Sequence, residues 1–196
     1  MLPNVTLNGA ASIGRFHYNS RQTATVTLDN DASVLSTDTV YSNGYRLGGT
    51  PQEAYSFGIS YRSPKYWFVS LTGNYFDQMW LDINPIRRTY RAVENMPIGS
   101  AERSAILDQQ RLSAQSTVDL FAGYSWKLPR KWAIHKKSTF LVFNAGISNL
   151  LNNQNIISGG YEQLRFDFAT NDVDKFPPKY YYAYGLNYFI STTLRF

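Results

Sequence analysis

The last fifteen residues, 182–196 (YAYGLNYFISTTLRF), alternate apolar and polar side chains along their whole length. Strands of soluble sheets are typically about 5 or 6 residues long. A tilted strand needs about 9 to 11 residues to cross a bilayer. The length therefore favours a membrane-crossing strand, whose predicted lipid-facing side chains are Tyr184, Leu186, Tyr188, Ile190, Thr192, Leu194 and Phe196.

The same two-residue period predicts five further strands. We place them at 4–18 with an extension towards residue 26, and at 54–61, 66–80, 113–128 and 139–148. The connections then alternate long, short, long, short and long, and residues 101–110 (AERSAILDQQ) could add a helical turn or two. Antiparallel membrane barrels have short turns at one end and longer loops at the other. A β-sandwich gives no reason for this asymmetry.

Composition excludes several classes of protein. The mean hydropathy is −0.34, and no apolar run approaches the roughly 18 residues of a spanning helix. Because cysteine is absent, there is no disulfide, no thiolate chemistry and no zinc site of the cysteine type. The net charge is +5, but the basic residues gather at two short turns and form no continuous stripe, so we expect no nucleic-acid partner.

These patterns predict an all-β fold, an antiparallel transmembrane β-barrel. Six strands cannot close a barrel, since the smallest membrane barrels have about 8. Open edges in lipid would leave unsatisfied backbone groups that cost several kcal/mol each. We therefore expect the missing strands to lie upstream of residue 1. The first residues (MLPNVTLNGAASIG) lack the features of a signal peptide, which agrees with a chain that is a piece of something longer.

The two short turns resemble each other in sequence, GISYRSPKYW at 58–67 and GYSWKLPRKW at 123–132. Amphipathic aromatic rings are favoured at a membrane–water interface, and barrels of this kind carry two aromatic girdles. The girdle predicted at the short turns consists of Tyr61, Trp67, Trp126 and Trp132, and the one at the opposite interface of Tyr55, Tyr75 and Tyr184.

The sequence contains few residue patterns that indicate catalysis or cofactor binding. His17 and His135 fall at opposite ends of the strands, and Asp77 and Asp82 lie among polar residues that any loop offers. We expect no enzyme and no cofactor.

The acidic stretches 29–31 and 171–174 are interpreted as Asx-capped turns in preference to calcium sites. Loop aromatics could stack on a ligand or pack against one another: Tyr41, Tyr45, Tyr90, Tyr161, Phe166 and Phe168.

Several runs point to a family: NAGISNLLN at 144–152, GGYEQ at 159–163, FPPKYYYAYG at 176–185 and LRF at 194–196. GRFHY at 14–18 and LDINPIRRT at 81–89 agree with them. In these runs the chain resembles the C-terminal part of TonB-dependent outer-membrane receptors of the Bacteroidetes type. The resemblance covers nearly the whole chain.

The resemblance implies that the chain forms the C-terminal six or so strands of a 22-stranded barrel. Residues 1–196 would supply barrel wall and extracellular loops, and they contain no plug domain. In the family, ligand binds loops and plug, and energised TonB pulls the plug open. The implied ligand is a scarce siderophore, cobalamin or glycan, and the implied location is the outer membrane of a Gram-negative bacterium. Implied partners are outer-membrane lipid, the barrel assembly machinery and the TonB complex, through the plug. The family's assembly signal falls on Tyr188, Ile190, Leu194 and Phe196, with Thr192 departing from the pattern.

Two other interpretations stay open. One is a small structural outer-membrane barrel or anchor without energised transport, and the other is a soluble carbohydrate-binding β-sandwich. The sandwich would have to cover a large apolar patch, since soluble proteins rarely expose more than a few hundred Å². The predicted patch includes Trp67, Val69, Leu71, Val118, Leu120, Leu141, Phe143 and Ile147.

Overall fold

The computed structural model describes residues 3–132 and 137–196. The strands are β1 Val5–Ile13, β2 Thr23–Thr27, β3 Val34–Thr39, β4 Glu53–Arg62, β5 Trp67–Asp77, β6 Gln115–Lys127, β7 Phe140–Ser148, β8 Ile157–Tyr161, β9 Lys179–Tyr182 and β10 Asn187–Arg195. Six of them form one antiparallel sheet in the order β1-β4-β5-β6-β7-β10. Two small hairpins, β2–β3 and β8–β9, stand apart from it.

The six main strands have 9 to 13 residues each. Residues 63–66 form one short connection, and 128–132 with 137–139 are the described parts of the other. Both lie at one end of the sheet, which we call the turn end. The three long connections, 14–52, 78–114 and 149–186, lie at the other end, and we call them together the cap. The predicted alternation of long and short connections is confirmed, and so is the antiparallel all-β class.

The sheet is open in the described part of the chain. β1 pairs only with β4, and β10 pairs only with β7. Each outer edge therefore presents a row of backbone groups without a strand partner.

The hydrophobic core lies in the cap and not against a face of the main sheet. The buried apolar side chains of the described residues are Val40, Met79, Leu81, Ala92, Val93, Ile106, Leu112 and Ile156, and all of them belong to the cap. Two short helices, α1 Tyr90–Val93 and α2 Ala101–Leu107, contribute to this core, and 3₁₀ helices cover Ile86–Arg88 and Arg130–Trp132. The helical turn predicted at 101–110 is confirmed by α2, whose first turn is capped by the Ser100 hydroxyl, accepting from the Arg103 N–H at 3.2 Å.

Three predicted strands are wrong in length. The first ends at Ile13, because the Gly14 N–H turns to the Gln52 carbonyl at 2.8 Å. The third ends at Asp77, because Gln78 has a φ of 53°, which extended backbone does not allow.

The strand predicted over the last fifteen residues is also split. Residues 179–182 pair with β8, and only Asn187–Arg195 joins the main sheet. The break occurs because the Ala183 N–H donates to the Ile156 carbonyl at 2.9 Å and the Leu186 N–H to Asn152 Oδ1 at 3.0 Å.

Candidate functional site

One face of the sheet is apolar across all six strands. The register places a single row of side chains side by side, from Leu7 through Ile59, Leu71, Leu120 and Ile147 to Tyr188. These side chains are exposed or half-buried, with Leu7 at 62% and Tyr188 at 74% exposure. Among the described residues, no helix or hairpin makes an extensive contact with the main sheet.

The opposite face carries a connected polar network. The Ser56 hydroxyl donates to Asn74 Oδ1 at 2.9 Å, and Asn74 Nδ2 donates to Asp119 Oδ2 at 2.8 Å. The second oxygen of Asp119 accepts from the Asn149 N–H at 2.9 Å. The two faces therefore suit different surroundings, one apolar and the other aqueous or protein-filled.

Three phenylalanines interrupt the polar face in a line. The ring centroids of Phe68 and Phe121 are 5.3 Å apart, and those of Phe121 and Phe189 are 6.1 Å apart. Phe68 lies over Gly123 and Phe189 over Gly146, in positions that a Cβ would occupy. The two-residue alternation places Phe121 and Phe189 on the polar side of their strands but gives no reason for aromatic rings there. A glycine at the paired position of the neighbouring strand is the sequence feature that could have predicted them.

The predicted short-turn girdle residues gather at the turn end. Tyr61 and Trp67 close the short connection between β4 and β5, with ring centroids 5.1 Å apart. Trp126 lies near the end of β6, and Trp132 ends the 3₁₀ helix and is 56% exposed. All four rings therefore belong to the same rim of the sheet.

Of the three residues predicted for the opposite girdle, two lie on strands. Tyr55 and Tyr75 are register partners at the cap end, with ring centroids 6.2 Å apart. Their hydroxyls donate to Glu53 at 3.4 Å and Asp77 at 3.3 Å. Tyr184 lies outside the strands.

The predicted assembly residues lie on the apolar face of β10 or just after it. Tyr188 and Ile190 pair with Ile147 and Ala145, and Leu194 pairs with Leu141. Phe196 follows the last strand residue and is 62% exposed.

A buried ion pair holds the cap together, and the sequence patterns missed it. Arg88 is fully buried, and its guanidinium donates to both carboxylate oxygens of Glu162, with Nη2 at 2.6 Å from Oε1. The Glu162 carboxylate also accepts the Asn84 N–H at 2.8 Å. Burial, together with the adjacent charge of Arg87, lowers the pKa of Arg88 to about 10, so the guanidinium stays charged at neutral pH.

Further bonds connect the first long connection to the second. Gln109 bonds the Arg46 backbone twice, accepting from its N–H at 2.7 Å and donating to its carbonyl at 2.5 Å. The Tyr45 hydroxyl donates to the Leu107 carbonyl at 2.6 Å, and burial raises the pKa of Tyr45. The Tyr41 N–H donates to the Arg88 carbonyl at 2.6 Å. All three long connections are therefore fastened to one another.

The loop aromatics divide into two groups. Tyr41, Phe166 and Phe168 pack against the cluster formed by Ala92, Val93 and Ile106. Tyr45 is held by its hydroxyl as described, whereas Tyr90 and Tyr161 are exposed at 61% and 40%. Only these last two stay available for stacking on a ligand.

The residues named for chemistry do not come together in the described region. His17 pairs with Arg46 in a single antiparallel bridge of the cap, and His135 lies outside the described residues. Asp31 accepts from the Ser33 N–H at 2.9 Å, and Asp172 from the Asp174 N–H at 2.9 Å, which are the geometries of Asx turns. No three histidine, aspartate or glutamate side chains in residues 3–132 and 137–196 are placed to hold a metal ion.

These features define an open antiparallel sheet with one apolar and one polar face, fastened at one end by a folded cap. Comparisons with protein-family models, curated proteins and solved structures find no match. The resemblance to TonB-dependent receptors therefore stays a prediction from the sequence motifs. None of the helices in the described ranges has the length and apolar character to cross a bilayer.

Proposed function

We propose that this chain forms a section of the wall of an outer-membrane β-barrel, in a TonB-dependent receptor that imports a scarce ligand by energy-coupled transport. The observation that carries the proposal is the uncovered apolar row from Leu7 to Tyr188 across six strands. A soluble protein would bury such a face to gain about 25 cal/mol per Å². This chain instead builds its core at one end.

The other features are consistent with that role. The 9- to 13-residue strands are long enough to cross a bilayer with tilt. The open edges of β1 and β10 provide sites where further strands of the same barrel would pair. The cap would form part of the outer surface, where Tyr90 and Tyr161 are exposed to an arriving ligand.

The finer parts of the proposal come from the resemblance. They comprise the 22-stranded barrel, the plug that couples to TonB, the barrel assembly machinery as a partner, and a siderophore, cobalamin or glycan as cargo. A lipid-exposed outer face is also needed by a small structural barrel, but a carbohydrate-binding sandwich would need that face covered.

The first test uses the absence of native cysteine, which permits single-cysteine spin labels in a detergent-solubilised or membrane-embedded protein. Leu71→Cys and Leu120→Cys place labels on the apolar face, and Thr72→Cys on the adjacent position of the polar face. We expect collisions with oxygen to dominate at Leu71 and Leu120, and collisions with a water-soluble nickel chelate at Thr72. Equal access of the nickel chelate to all three labels would reject the membrane wall and favour the sandwich.

A second test addresses the receptor. An antibody to residues 87–108 is used on urea-washed outer membranes, with and without boiling before electrophoresis. A heat-modifiable band several times larger than 22.4 kDa supports a section of a large receptor. A membrane band near 22.4 kDa would instead support the small structural barrel.

A further inference from the structure

The charges of this chain are segregated along the strands. All fourteen acidic residues belong to the cap or to strand positions nearest it, the deepest being Asp119, which pairs with Thr72 on β5. The two short connections and the strand ends beside them contain no acidic side chain. The turn end is therefore basic, and the rest of the chain carries more acid than base.

Seven described cations form this basic rim, and every one of them is exposed. They are Arg62, Lys65, Lys127, Arg130, Lys131, Lys137 and Arg195. None takes part in an ion pair among the described residues. Like charges crowded on one rim repel one another, so the rim is more stable with an anionic partner beside it.

The rim directly adjoins the aromatic residues at the foot of the apolar face. Lys65 lies two residues before Trp67, and Arg130 and Lys131 immediately precede Trp132. The Lys131 ammonium lies 5.7 Å from the centroid of the Trp132 ring. Going from the sheet to the turn end, the order is therefore apolar side chains, then aromatic rings, then cations.

We propose that the turn end binds the headgroups of anionic phospholipids in the adjoining membrane leaflet. This inference rests on the proposed membrane wall, and it adds a lipid class to that surface. An acyl chain would contact the apolar face, the glycerol region would lie at the level of the rings, and the phosphate would reach the cations. Polybasic segments at a membrane surface select anionic lipid in this way.

The experiment measures the quenching of tryptophan fluorescence by brominated lipids in mixed detergent micelles containing the whole protein. Three of the four tryptophans, Trp67, Trp126 and Trp132, lie at the turn end, and Trp80 lies in the cap and provides a constant background. Brominated phosphatidylglycerol is compared with brominated phosphatidylcholine at the same mole fraction. We expect quenching by the anionic lipid to be at least about twofold stronger.

Two triple variants separate this site from overall charge. Lys65→Gln, Arg130→Gln and Lys131→Gln together should abolish the preference and leave quenching by phosphatidylcholine unchanged. The matched control removes three exposed cations of the cap, through Arg15→Gln, Arg165→Gln and Lys179→Gln, and should keep the preference. Should the first variant fail to fold, salt replaces it, since screening at about 1 M reduces the Debye length to about 3 Å and should remove the preference of the unmodified protein.

The outcomes are distinguishable. Equal quenching by both lipids would overturn the headgroup site and leave the membrane wall standing. Loss of the preference in the cap control as well would also overturn it, because overall charge would then be the cause. Absence of quenching by either lipid would overturn the membrane wall itself, and the headgroup site with it.

Discussion

Replacing Glu162 by glutamine tests whether the cap depends on its buried ion pair. The change keeps the size of the side chain and an oxygen that can accept the Asn84 N–H. Among the described residues, it removes the only carboxylate that bonds the Arg88 guanidinium. Because Arg88 is fully buried and Arg87 Nη1 lies 3.8 Å from Glu162 Oε1, the variant leaves two cations close together without their counter-charge.

Removing one partner of a buried pair costs about 3 to 5 kcal/mol. Each 1.4 kcal/mol is a factor of about ten in an opening equilibrium, so amide exchange in the cap should accelerate by at least about a hundredfold. The measurement is hydrogen–deuterium exchange of the detergent-solubilised protein, followed by mass spectrometry of peptides from 78–112 and 156–168. Peptides of β5 and β6 should keep their protection, since the described hydrogen bonds of Arg88 go to residues of the cap.

Two further variants sharpen the test. Adding Arg88→Met to Glu162→Gln removes the unpaired charge and should restore much of the lost protection, although Asp108 loses the donor that lies 2.9 Å from its carbonyl. Arg111→Gln breaks an exposed pair, Arg111 with Asp77 at 2.7 Å, and should cost at most about 1 kcal/mol. Exchange within tenfold of the unmodified protein for Glu162→Gln, or faster exchange in the double variant than in the single one, would show that the buried pair does not stabilise the cap.

Single substitutions test three other features of the sheet and the cap. Gly146→Ala should lower the temperature at which the folded band is lost on semi-native gels, because the new Cβ would overlap the Phe189 ring and overpacking costs about 1 to 3 kcal/mol. Gly73→Ala is the control and should leave that temperature unchanged, since the nearest atom is 4.0 Å from the new Cβ. Equal melting temperatures for the two variants would contradict the packing of Phe189 over Gly146. The Lys175 ammonium and the Thr170 hydroxyl hold the pKa of Asp167 well below its usual range. The stability that this carboxylate adds is therefore complete above its unfolded pKa of about 3.8 and is lost as the pH falls below that value. Hydrogen exchange of peptide 166–175 from pH 6 to pH 2.5 measures this loss, and Asp167→Asn should remove the pH dependence of the stability. For the proposed outer-membrane wall, Phe196→Ala should reduce the amount of assembled protein several-fold, whereas Thr193→Ala on the other face of β10 should not. Undiminished assembly of the first variant would remove Phe196 from the predicted assembly signal.

Alternation along the chain predicted the sheet well because the side-chain period of a strand is a local property. The faces of β4, with Tyr55, Phe57 and Ile59 on one side, could be assigned from residues 54–61 alone. The placement of the long and short connections followed from the same assignment. Registers between strands then brought the separately predicted apolar faces onto one side of the sheet.

The cap could not be predicted in the same way, because its contacts join distant parts of the chain. Arg88 and Glu162 are 74 positions apart, and neither belongs to a periodic segment. The ends of strands were missed for the same reason: residues 183–186 continue the alternation, but Asn152 and Ile156 bond their backbone and withdraw them from the sheet. Phe189 on the polar face makes sense only with Gly146 on β7.

The fastening of the three long connections also limits how the cap can change during evolution. An insertion between 81 and 89 or beside Glu162 would separate groups that bond each other across the cap. The exposed tip of the β2–β3 hairpin, residues 28–33, bonds only within itself among the described contacts. New length and new chemistry can therefore accumulate at that tip while the remainder of the cap keeps one shape, so homologous chains should differ there first.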